Sequence, residues 1–165
     1  MKYLAAGAEI DGEYRYRLWR VWDENLPTAL FVMLNPSTAD GSEDDPTIRR
    51  CVGFAKAWGC GRLDVVNLYA YRATDPDALR TAINPIGRMN DHHVREAAYH
   101  ADPIVLAWGA GPFRDPERRE EVMLALRRSG KRLHVLGYTK RGEPKHPLYL
   151  KGDLKPVPWE RQVGT

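Results

Sequence analysis

Cysteine is scarce. Cys51 and Cys60 are the only two thiols in 165 residues. Two thiols cannot build an iron–sulfur cluster or a four-cysteine zinc site. No cofactor is expected, and both thiols are read as free and buried. Long apolar runs are also missing. None approaches the roughly 20 residues that cross a bilayer, and MKYLAAGAEI is too short and too weakly apolar for a secretory signal. The expected compartment is the cytoplasm, with no membrane partner and no disulfide. Internal repeats and low-complexity segments are absent. Charge of one sign is not in large excess: the net value is +3 and the pI about 8.9. That balance permits an anionic partner without demanding one. What the chain does have is rings, five Trp and eight Tyr, which fill cores and also stack on bases. The length suits one domain over 1–165, a monomer by default.

EYRYRLWRVW (13–22) alternates bulky and charged residues, as a β-hairpin or edge strand does. Four compact apolar runs follow: ALFVML (29–34), LDVVNLYA (63–70), PIVLAWG (103–109) and RLHVLG (132–137). They lack clean alternation, as parallel strands covered on both faces do. Helical patterns separate them, over 44–59, 75–83, 90–101 and 115–130. The first has Asp45 as N-cap and Pro46 at the first helical position, and Gly130 is placed to cap the last. The expected fold is therefore α/β: a central, mostly parallel four-stranded sheet with helices on both faces, forming a three-layer sandwich, plus the N-terminal β element. The segment 139–165 reads as loop-rich.

In such folds ligands bind at the carboxyl ends of the strands. Asn35-Pro36-Ser37-Thr38 follows the first strand. Asn67 lies in the second, with Tyr69, Tyr71 and Arg72 behind it. Trp108-Gly109-Ala110-Gly111 follows the third. Tyr138-Thr139-Lys140 and then His146-Pro147-Leu148-Tyr149 follow the fourth. Each has a plain structural reading. Asn-Pro starts turns, a loop histidine is often solvated, and a lone GxG turn is weak evidence of a phosphate site. Asn67 within an apolar strand must meet a backbone group or a ligand, because a buried amide without partners costs about 1–3 kcal/mol. His92, His93 and His100 do not share a helix face in a way that favours a metal. Cys51 reads as a buried thiol on a packing helix.

LNPSTAD, DPTIRRC, NLYAYRATDP, AWG and GYTKRGEPKHPLYL resemble the uncharacterised bacterial family known as domain of unknown function 1643, from about residue 14 to about residue 150. That likeness implies no established reaction. More distantly, the order of motifs is similar to the uracil-DNA glycosylase superfamily. Met33-Leu34-Asn35-Pro36 corresponds to its first-strand motif, Asn67 to its base-reading asparagine, Trp108-Gly109 to its third-strand turn, and His146-Pro147-Leu148 to its histidine loop. Met33 replaces the usual opening glycine, Asn35 stands where many members have Asp, and Leu148-Tyr149 replace Ser-Pro.

This second likeness implies a uracil-DNA glycosylase-like sandwich and hydrolysis of the N-glycosidic bond of an unusual base, in DNA or in a nucleotide. His146 would donate to the departing base. Asn35 would orient water, with Asp45 as the chosen base; Asp40 and Asp44 lie equally near in sequence. Asn67 would read the base edge, and Tyr69 or Tyr71 would stack on it. Ser37, Thr38, Arg72, Lys140, Lys145 and Lys151 would hold phosphates. Leu148 or Tyr149 would wedge into the vacated space. Two other readings stay open: a non-catalytic nucleic-acid-binding module of this fold, and an enzyme acting on a free nucleotide or small phosphorylated ligand.

Overall fold

The computed structural model describes residues 2–111 and 115–162. Strands β1 (Ala5–Asp11) and β2 (Tyr14–Val21) form an antiparallel hairpin. Its two-residue loop places Gly12 at φ +58°, a conformation that costs glycine little. Next come β3 (Thr28–Met33), α1 (Pro46–Ala57), β4 (Arg62–Asn67), a 3₁₀ turn (Pro76–Arg80), α2 (Asn90–His100), β5 (Ile104–Leu106), α3 (Pro116–Arg127), β6 (Leu133–Val135) and β7 (Val157–Pro158).

The sheet runs β1-β2-β4-β3-β5-β6-β7. Its centre, β4-β3-β5-β6, is parallel, while β2 against β4 and β6 against β7 are antiparallel. The sheet is therefore seven-stranded and mixed, wider than the expected four strands. The hairpin continues the sheet, and a short β7 lies in the segment read as loop. Strand β1 escapes the sequence pattern because Ala5, Ala6, Gly7 and Ala8 have little strand propensity. The indole of Trp19 covers it instead: a Cβ on Gly7 would lie 2.3 Å from that ring.

Alternation along the central strands divides the core. Leu30, Val32, Val66, Ile104 and Leu106 pack with Val94 and Ala97 of α2 and Val122 and Leu126 of α3. Phe31, Met33, Val65 and Val105 pack on Ile48, Val52 and Phe54 of α1. Helix α1 forms here because its apolar positions recur at helical spacing and Asp45 accepts the Ile48 amide at 2.8 Å. Each large side chain so buried contributes about 1.5–3 kcal/mol. The expected helix over 75–83 is only a 3₁₀ turn. Leu79 is its one buried side chain, and Asn84-Pro85 follows at once. Gly130, at φ +79°, lies just beyond α3 and donates to Arg127, as a terminating glycine does.

Candidate functional site

Strand β3 pairs with β4 on one side and β5 on the other, so the chain reverses its direction of sheet growth there. A crevice opens at the carboxyl ends of such strands. It is a cleft of about 350 Å³ on the α1 side of the sheet, and Arg15, Asn35, Ser37, Asp45, Asn67 and His146 line it. Trp108 and the Gly109–Gly111 turn form another wall.

Asn67 closes β4, opposite Met33, and is 1% exposed. Neither its Oδ1 nor its Nδ2 has a hydrogen-bond partner. Its backbone, by contrast, is held hard. Asn90 Nδ2 donates to the carbonyls of Asn67 (2.9 Å) and Leu68 (3.2 Å), and Arg118 Nε donates to Leu68 at 2.8 Å. The amide is thus a fixed donor–acceptor pair at the floor of the cleft.

Asn35 plays a different part. Its Nδ2 donates to Ala73 (2.8 Å) and Pro36 (3.1 Å) carbonyls, so both its hydrogens are spent and only Oδ1 is left to accept. These bonds, with Ala73 N–H to Pro36, tie the turn after β3 to the segment after β4. Asp45 gives one oxygen to the α1 cap, and the other has no hydrogen bond among the described residues.

His146 sits on a small antiparallel excursion, Tyr138 bridging Pro144. Gly109 N–H donates to Pro144 at 2.9 Å, and Gly109 has φ +74°. A Cβ there would lie 3.2 Å from that of His146, so this glycine permits the close approach. Trp108 Nε1 donates to Glu143 at 2.7 Å, and Arg119 pairs with the same carboxylate. Leu148 N–H donates to His146 Nδ1 at 3.2 Å, which leaves Nε2 as the proton-bearing nitrogen of the neutral ring. Burial holds the imidazole below its ordinary value of 6.5, against the opposing field of Asp45.

Arg15 is 2% exposed. Its Nη1 donates to Ala39 at 2.9 Å, and its Nε has no partner. Burial lowers its pKa to about 10, so the guanidinium stays charged at neutral pH. A break in register puts it here. Glu9 pairs with Arg17 but Ile10 pairs with Arg15, leaving Tyr16 as an extra residue. Arg17 and Tyr16 both face the α2 side, Arg17 toward Asp64 and Tyr16 stacked on His93. The bulge then turns Arg15 to the α1 side, as bulges re-aim side chains elsewhere.

The family model described as "Protein of unknown function (DUF1643)" matches residues 15–148. The chain belongs to this family. No curated protein and no solved structure matches it. The span matched as DUF1643 contains every polar residue that lines the cleft.

Other expected site residues lie elsewhere. Tyr69 is buried among core residues on the α2–α3 side and donates to Asp115 at 2.8 Å; burial, then that bond, raises its pKa. It borders a second hollow of about 230 Å³, which shares the 108–111 turn with the first. Tyr71 bridges Tyr14 and packs edge-on against its ring. Thr38, Lys140, Lys145 and Lys151 are exposed, and Arg72 and Leu148 are half-buried; none lines the cleft. Tyr149 is 93% exposed at φ +69°. Asp40 and Asp44 are engaged in the fold. Asp40 accepts the Glu43 and Ser42 amides, which lower its pKa, and Asp44 accepts from Arg20 and Tyr3. Arg15, Asn90 and Arg118 carry no motif in the sequence. Only the strand register and the buried carbonyls after Asn67 reveal them. Among the described residues no group of side chains is arranged to hold a metal, both cysteines are free and buried, and no helix is long and apolar enough to cross a membrane.

Proposed function

We propose that the cleft binds a nucleobase-bearing ligand and hydrolyses its base–sugar bond. The observation that carries this reading is the Asn67 amide, held from behind and left without partners in front. A side-chain amide offers a donor and an acceptor side by side, which is the complement of a base edge. A cleft near 350 Å³ is at the small end for ligand sites and suits one base and its sugar.

The chemistry follows from three groups. Water adds to the sugar C1′ while the C1′–N bond breaks, and the base leaves with the bonding electrons. Asp45 takes the water's proton on its second oxygen, and Asn35 Oδ1 accepts a hydrogen bond from the same water. The Nε2–H of neutral His146 donates to the base as negative charge grows on it. The base then takes up a proton, so one water is consumed. The distant likeness in motif order to uracil-DNA glycosylases supports this assignment, and the neutral histidine is in keeping with it.

The test is release of free base, followed chromatographically, from nucleosides, mononucleotides and oligonucleotides carrying deaminated and alkylated bases. Removing one preorganised donor slows such reactions roughly 100- to 1,000-fold, so His146→Ala should lose that much with ligand affinity little changed. Release of no base from any of these compounds, with enzyme in stoichiometric amount, would contradict hydrolysis.

A further inference from the structure

Arg15 sets a requirement that neither the base nor the sugar meets. Arg15 is only 2% exposed, yet it forms no ion pair among the described residues and its Nε lacks a partner. A desolvated cation without an anion is costly. Asp45 shares its field but not a hydrogen bond, having given one oxygen to the Ile48 amide. The first turn of α1 faces the same space. Pro46 has no N–H and Ile48's is capped, so Thr47 is the first-turn residue at the cleft whose amide has no partner within the helix. Helix N-termini favour anions, and Ser37 adds a hydroxyl to the same wall. Arg72 strengthens the positive field at Arg15.

We propose that a terminal phosphate of the ligand seats between Arg15 and the first turn of α1, so that this DUF1643 cleft takes a free nucleoside monophosphate. The proposal rests on the nucleobase reading above. A guanidinium fork matches two phosphate oxygens at once. The depth of Arg15 selects a chain end. A phosphodiester would have to carry a nucleotide on each side into a cleft of about 350 Å³, whereas a terminal phosphate enters alone. The products are then a free base and a sugar phosphate. The Tyr16 bulge is the device that brings the cation to the site.

The test uses the full chain and titration calorimetry. The probes are 5′-monophosphates of common and deaminated nucleosides, the matching nucleosides, single-stranded oligonucleotides with the same bases, and inorganic phosphate. At least one monophosphate should bind roughly 10- to 100-fold more tightly than its nucleoside. R15Q should erase that difference while leaving nucleoside affinity unchanged. If R15Q fails to fold, R15K should weaken the monophosphate and not the nucleoside, and the wild-type comparison decides alone. Equal affinity for nucleoside and monophosphate overturns the phosphate seat and leaves the base reading standing. An oligonucleotide binding more tightly than any monophosphate overturns the terminal-phosphate assignment. Inorganic phosphate binding as well as every nucleotide contradicts the nucleotide, and the base reading with it.

Discussion

Arg15 and Arg118 are both 2% exposed, and they could hardly be treated more differently by their surroundings. Arg118 reaches Asp91 at 2.7 Å, Glu121 at 3.1 Å and the Leu68 carbonyl at 2.8 Å. Arg15 has one backbone carbonyl and no carboxylate. The neighbouring asparagines repeat the contrast. Asn90 Nδ2 is shared between two carbonyls, while both amide atoms of Asn67 are unpartnered. The two sets meet around the end of β4. On the α2–α3 side Asn90 and Arg118 spend their donors on holding the backbone still. On the α1 side Asn67 and Arg15 line the cleft. A buried polar group that comes with its partners is part of the scaffold. One that lacks them, beside a cleft, marks a candidate site.

Substitutions should separate the two sides. Arg118→Met removes the shorter of two hydrogen bonds to the Leu68 carbonyl and breaks two ion pairs, and should cost about 3 kcal/mol in urea unfolding. Asn90→Leu, which takes the side-chain donor from the Asn67 carbonyl and leaves Leu68 with Arg118 alone, should cost about 2 kcal/mol. Asn67→Leu should cost nothing, or stabilise by up to about 1 kcal/mol, because it removes an amide that the fold leaves unpaired. Comparable losses from Asn67→Leu and Asn90→Leu would erase the distinction between scaffold and site.

A smaller effect comes from pH. Burial lowers the pKa of His146 from 6.5, and burial followed by the charge of His92 lowers that of His93. The unfolded chain then binds more protons than the native one as pH falls through 6.5. Their contribution is fully present above that value and is lost toward the lower native pKa values. Urea unfolding near pH 7.5 and near pH 5 should show the loss, and His93→Gln with His146→Gln should reduce it. An unchanged pH dependence in the double variant would place the titration elsewhere.

The parallel core was legible because its strands are continuous apolar runs and its longest helices begin at Asp-Pro. Asp45-Pro46 and Asp115-Pro116 both start helices at the residues the pattern names. Strand β1 was not, since its small residues gain their place from the Trp19 ring and not from propensity. The lining of the candidate cleft was legible where one residue type marks a strand end, as at Asn35, Asn67 and His146. It failed where orientation decides. Tyr69 turns to the other face of the sheet, and Arg15 reaches the cleft only through the extra residue at Tyr16. A period-two reading of EYRYRLWRVW assigns Arg15 to the face of Arg17. Asn90 and Arg118 lie in helical patterns where no motif sets them apart.

The central claim is that the Asn67 amide waits for a ligand. Its side-chain ¹⁵N–¹H resonances report directly on that, assigned by difference from Asn67→Leu and followed while nucleosides and nucleoside monophosphates are titrated in. The account predicts that a bound nucleotide moves the Asn67 pair, and that Asn90, already engaged with two carbonyls, changes little. An Asn67 signal that stays fixed while a ligand binds would contradict it.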